Sequence, residues 1–144
     1  MNDIIKIYLE NRLLGIIIKS EYKSDGINFL TDHSSPFQIA CMHHKPRHEI
    51  KPHLHNLIER KICKTQEVLF IKKGKIRVDF FRDDQTIFKN YTLTDGDIIF
   101  LASGSHGFEI IEETEMIEVK QGPYVGEKDK TRFIPKSGND NEKR

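Results

Sequence analysis

Six of the chain's seven histidines fall between His33 and His55, and the seventh is His106. Two of them, His53 and His55, stand one residue apart in "KPHLHNLIER", residues 51–60. Along an extended strand, residues i and i+2 face the same side, so both rings could be offered to one ion. The same pattern also describes two half-exposed histidines beside a turn. Glu59 follows His55 by four residues, and Arg60 and Lys61 come next. These three could contact a substrate, or could be solvated loop charges. Lys51 shares parity with the histidine pair, and Pro52 stiffens the approach to it. Further along, Glu118 and Lys120 alternate with Ile117 and Val119 in "EMIEVKQ". If the polar pair faces a cavity, Lys120 could bind a carboxylate or phosphate, or move a proton once desolvation lowers its pKa. If it faces solvent, it is a surface pair and the valine side is buried; parity alone does not orient the strand.

The elements that must carry these residues read as strands. "FQIACMH" (37–43), "EVLFIKK" (67–73), "KIRVDFF" (75–81), "TIFKNYTL" (86–93), "DIIFLA" (97–102), "HGFEII" (106–111) and "EMIEVKQ" (115–121) are short and rich in β-branched and aromatic residues. Turn signals lie between them: "KKGK", "RDDQ", "TDGD", "ASGS" and "EETE". Such a series without long helical patterns predicts an all-β sandwich or barrel. The segment 4–20 has helix-like apolar spacing, yet its isoleucines and Gly15 favour a hairpin turning near Glu10–Arg12. One domain over residues 1–135 is expected, with a disordered tail over 136–144, where "KSGNDNEKR" offers nothing to bury.

Lysine plus arginine number 23 and aspartate plus glutamate 22, so no electrostatic footprint for nucleic acid or an anionic membrane is present. The first residues resemble no secretory signal, and the longest apolar run, Leu13 to Ile18, is too short to span a bilayer. Cys41 and Cys63 form no CxxC pair, which fits reduced thiols in a cytoplasmic protein and small packing residues in place of ligands.

Taken together, His53, His55, Glu67 and Gly74, followed by Gly96, Gly104 and His106, resemble the two signature motifs of the cupin superfamily. Those motifs read HxH, a short gap, E, six residues, G; and then G, five residues, PxG, two residues, H. The resemblance covers roughly residues 37 to 121. It departs from the pattern in the eleven residues between His55 and Glu67, in Ala102 at the proline position, and in the single residue between Gly104 and His106, which implies a tighter turn. It also chooses between the acids. Glu59 has the literal spacing, but Gln66 then stands where glycine should, whereas Glu67 has Gly74 behind it. The intervening "NLIERKICKTQ" becomes an insertion at the barrel mouth.

The resemblance implies a jelly-roll cupin barrel holding one divalent metal on His53, His55, Glu67 and His106. Three imidazoles and a carboxylate suit Fe(II), Mn(II), Ni(II), Co(II) or Zn(II) without choosing among them. Phe108 would supply an apolar cavity wall, and Tyr124, after Gly122-Pro123, either a ligand contact or packing at the strand exit. At least one of His43, His44 and His48 would lie outside the site. Relatives of this type include small single-domain cupins, some accompanying surface-polysaccharide genes. The implied function is a small metalloenzyme, with Lewis-acid isomerase, epimerase or hydrolase chemistry or dioxygen activation on a polar metabolite. Glu59, Arg60 or Lys120 would handle protons or charge. The alternatives are a non-catalytic ligand-binding or sensing module, and a metal-free barrel like that of sugar-nucleotide isomerases. A homodimer is the expected assembly.

Overall fold

The computed structural model describes residues 2–138. Eight strands follow in order: β1 (Ile4–Leu9), β2 (Arg12–Ile18), β3 (Gly26–Phe29), β4 (Ala40–His43), β5 (Glu67–Phe81), β6 (Ile87–Thr94), β7 (Ile98–Leu101) and β8 (Ser105–Lys120). A 3-10 turn covers Gly126–Asp129, and among the described residues there is no α-helix. Among the described residues, no helix is therefore long and apolar enough to cross a membrane. The segment Tyr22–Lys64 forms one compact unit, and the chain on either side of it forms the other.

The larger unit is a strongly curled antiparallel sheet, a half-barrel, with strand order β1-β2-β7-β5-β6 and β8 paired to β5. The β1–β2 hairpin turns at Glu10 and Asn11, as the sequence predicts, with Glu10 at φ 54°. β5 is the organising strand. Glu67 pairs with both Leu101 of β7 and Lys120 of β8, and Ile76 with both Leu93 of β6 and Ile110 of β8. One edge of β5 is thus shared by β7 and β6, while β8 runs along the whole of the other.

Two predicted turns are not turns. "KKGK" lies inside β5 and "EETE" inside β8, so four expected strands are two long ones. The two segments meet across the ladder, where the register shifts between Ile71 and Lys73, Lys73 and Lys75, and Lys75 and Ile76. Such bulges bend a ribbon and increase its twist. Gly74 has φ 109°, and a Cβ built there would stand 2.3 Å from the Glu113 carbonyl oxygen, so the bend needs glycine. The bulge also switches phase. Leu69 and Ile71 are buried before it, and Ile76, Val78 and Phe80 after it. All five belong to one core cluster with Ile7, Leu14, Ile17, Leu93, Ile99 and Leu101.

The "TDGD", "ASGS" and "RDDQ" signals do fall between strands. At the first of these, Asp97 is fully buried. Its carboxylate accepts from the Ser20 N–H at 3.0 Å, the Thr94 N–H at 2.9 Å and the Lys19 ammonium, and so ties the end of β2 to the β6–β7 turn.

In the smaller unit β3 and β4 form a hairpin, pairing Gly26 with His43 through Phe29 with Ala40. β3 carries no strong signal in the sequence, being four residues behind Asp25-Gly26. From His44 to Lys64 there is no strand, and this corrects the strand-parity argument for the HxH pair. "KPHLH" contains a proline and two polar rings and supplies no alternating apolar face to hold it in a ladder. Of the expected tail, Lys136 bridges to Thr86, and residues 139–144 lie outside the described residues.

Candidate functional site

Glu67 and His106 occupy opposite ends of the long β5–β8 ribbon. Glu67 is the first residue of β5, and His106 is the partner of Phe80, thirteen positions along. Thirteen residues of straight strand would span about 43 Å. The curl brings the two side chains together instead, with His106 Nε2 3.3 Å from Glu67 Oε2. Phe80 and Leu101, the cross-strand partners of His106 and Glu67, are both in the core cluster. Both polar side chains therefore stand on the core-facing side of the sheet, at its rim. Glu67 retains 8% side-chain exposure and His106 26%.

This environment pushes the Glu67 carboxyl below the ordinary glutamate range. The His106 imidazole in hydrogen-bonding range is the largest cause, opposed by burial and reinforced by the charges of His106, Lys130 and Lys120. The register also orients the end of β8. Lys120 is opposite Glu67 and Glu118 opposite Leu69, so this polar pair shares the face of Glu67, while Ile117 and Val119 turn outward at 50% and 54% exposure. Phe108 is opposite Val78, packs against the core, and lies 5.4 Å from the His106 ring. The larger unit thus gathers His106, Glu67, Lys120 and Phe108.

Lys130 and Gln66 were not singled out by sequence. Lys130 sits in the charged run "GEKDK", which carries no motif. Gln66 is buried, donates from Nε2 to the Ala102 carbonyl at 3.0 Å, and leaves its Oε1 without a partner. Tyr124 is 86% exposed.

The smaller unit holds the remaining predicted residues, with Lys51, His53, His55, Glu59 and Arg60 all exposed. The rings of His53 and His55 meet edge to face, centroids 5.3 Å apart. His53 Nδ1 is 2.8 Å from the Lys51 carbonyl oxygen, which makes Nδ1 the donor in this contact and leaves Nε2 facing away from it. His44 and His48 stack in parallel at 4.1 Å, across a turn closed by His48 N–H to the Lys45 carbonyl. Among the described residues, no three or more histidine, cysteine, aspartate or glutamate side chains are grouped so as to hold a metal ion. Nothing matches this chain among protein-family models, curated proteins or solved structures.

Proposed function

We propose that this protein is a cupin-type barrel that binds one divalent metal ion and acts on a small polar metabolite. The observation that carries the reading is the 3.3 Å contact between Glu67 and His106, two donors brought from opposite ends of one ribbon. Two ligands bound at about 2.1 Å stand about 3.0 Å apart in octahedral and about 3.4 Å apart in tetrahedral geometry, so this spacing fits neighbouring ligands of one ion. His53 supports it independently. A metal-binding histidine commonly gives its other ring N–H to a backbone carbonyl, and the Lys51 carbonyl takes that place. Glu67 and His106 would hold Fe(II), Mn(II), Ni(II), Co(II) or Zn(II), and the sequence resemblance names His53 and His55 as the further ligands. When bound, the ion would supply Lewis acidity or, as iron, dioxygen activation. Lys120, across from Glu67, would place charge or a proton at the substrate, and Phe108 would exclude water on one side. The sequence reading adds Glu59 and Arg60 as candidate substrate contacts. A cytoplasmic homodimer completes the proposal.

A second reading rests on the same contact without a metal. Glu67 would orient the His106 imidazole as a general base, with Lys120 as acid partner, in the manner of a metal-free isomerase. A non-catalytic sensing role would need only ligand binding at this end of the half-barrel.

Elemental analysis of untagged protein, followed by dialysis against each of the five metals, separates these readings. One ion per chain is expected in the wild type, with loss in His55→Ala, His106→Ala and Glu67→Ala and retention in Glu59→Ala. Far-ultraviolet circular dichroism should show the fold kept throughout. Retention in His55→Ala would remove the HxH pair from the ligand set, and a wild type that binds no ion would leave the metal-free dyad.

A further inference from the structure

We propose that Lys120 and Lys130 together seat the anionic group of a small organic ligand that has an apolar body. The proposal rests on the reading of the Glu67 end of the half-barrel as the ligand site, and adds to it the ligand's charge and class. Lys120 stands directly across the ladder from Glu67 on the same face. Lys130 arrives from the segment that follows β8. That segment is tied beside the start of β5 twice. The Gln121 N–H donates to the Gln66 carbonyl at 3.1 Å, and Thr65 Oγ1 donates to Asp129 Oδ1 at 2.6 Å. The second bond fixes the residue next to Lys130. Both ammonium groups act on the Glu67 carboxylate through space, yet that carboxylate's direct contact is His106. Among the described residues neither ammonium group makes a hydrogen bond or ion pair of its own. Two cations with unused donors at the rim of a core are a fit for a carboxylate or phosphate oxygen.

The opposing charges on this face are Glu67 and Glu118. Glu67 is engaged by His106, which leaves the two ammonium groups as the donors on this face that an incoming anion would meet. The walls add the apolar requirement. Phe108 packs on the core next to His106. Ile110 and Met116 lie opposite the core residues Ile76 and Ile71, hence on the same side, and are still 52% and 37% exposed. An anionic head at the lysines would leave its hydrocarbon body along this row.

Calorimetric titration with hexanoate, hexyl phosphate and hexanol tests the assignment, with metal content read on the same samples. Hexanoate, hexyl phosphate or both are expected to bind, the tighter one naming the head group, and hexanol to bind on the order of tenfold more weakly or worse. The Lys120→Gln/Lys130→Gln double variant should lose at least about tenfold in anion affinity with unchanged metal content. Lys6→Gln, on the exposed β1 surface, should bind as the wild type does. Equal anion binding in the double variant, hexanol binding as tight as hexanoate, or no anion binding by the wild type would overturn the proposal. Loss of metal binding in the Glu67 and His106 variants tests the ligand set separately, so each reading can fail alone.

Discussion

Replacing Asp97 by alanine should be among the most damaging single changes to the half-barrel. Its carboxylate is fully buried and accepts from two backbone N–H groups, of Ser20 and Thr94, as well as from Lys19. A hydrogen bond to a charged acceptor contributes about 1.5–3 kcal/mol net. The two backbone donors therefore account for about 3–5 kcal/mol, after allowing for water reaching them at Ser20 and Thr94, which are themselves exposed. Lys19 adds little beyond this, because its ammonium keeps 29% exposure and can return to water. Against a total stability of about 5–15 kcal/mol, that is a large share. For a chain of this length each kcal/mol moves the melting midpoint by roughly 2–4 °C, so the expected drop is about 6–20 °C. Urea unfolding followed by fluorescence or circular dichroism would measure it, with the slope m checked for constancy. Asp97→Asn keeps the shape and one acceptor, and should fall between alanine and wild type. Asp83→Ala removes the exposed ion pair with Arg12, whose acid is 78% exposed, and should leave the midpoint unchanged. A loss below about 1 kcal/mol in Asp97→Ala would refute the claim that this carboxylate clamps β2 to the β6–β7 turn.

Two further outcomes follow from the titratable groups. The folded Glu67 carboxyl titrates below its unfolded counterpart, which takes up its proton near pH 4.3. Its contribution to stability is thus present above that value and is lost as pH falls through the lower folded one. In chelator-treated protein, the stability gap between wild type and Glu67→Gln should close on acidification below about pH 4.3, and a gap that widens there would contradict the sign. Burial raises the Cys41 thiol above its ordinary range, whereas Cys63 is exposed. Iodoacetamide at pH 8 should therefore label Cys63 first, as read by peptide mass spectrometry, and equal labelling rates would contradict the difference in environment.

The strands of the half-barrel were legible because their signal is local. Alternation in "EVLFIKK" and "KIRVDFF" shows a pleated, half-buried surface whatever else the chain does. What could not be read was that Gly74 bends one strand instead of ending it. "KKGK" is chemically a good turn, and it remains continuous strand only because "EETE" lies opposite and bulges with it. A turn residue states a backbone dihedral, not whether a partner strand follows the chain through that dihedral. The same non-locality hid Lys130. Its place is set by Thr65 holding Asp129 from 64 residues away, and no pattern within "GEKDK" encodes that bond.

The pairing of Glu67 with His106 was legible for a different reason. The motif glycines Gly74, Gly96 and Gly104 all take positive φ, at 109°, 82° and 76°. Each marks a place where the path of the backbone is forced, one inside the ribbon and two at the turns that lead into and out of β7. Fixing those three points leaves the curl of the sheet little freedom, and the curl alone decides whether the two ends of β5 meet. The acid and the imidazole meet because glycines elsewhere in the chain let the backbone turn, while their own neighbours only hold them on the core-facing side. His53 and His55 have no such scaffold in their own segment, where no strand forms between His44 and Lys64. The contacts that orient their rings are local, such as the Lys51 backbone carbonyl beside His53 Nδ1. The variants at His55 and His106 therefore bear on different physics. His106→Ala tests the proposed ligand role of a side chain placed by the fold, and His55→Ala that of a side chain on a segment without strand structure.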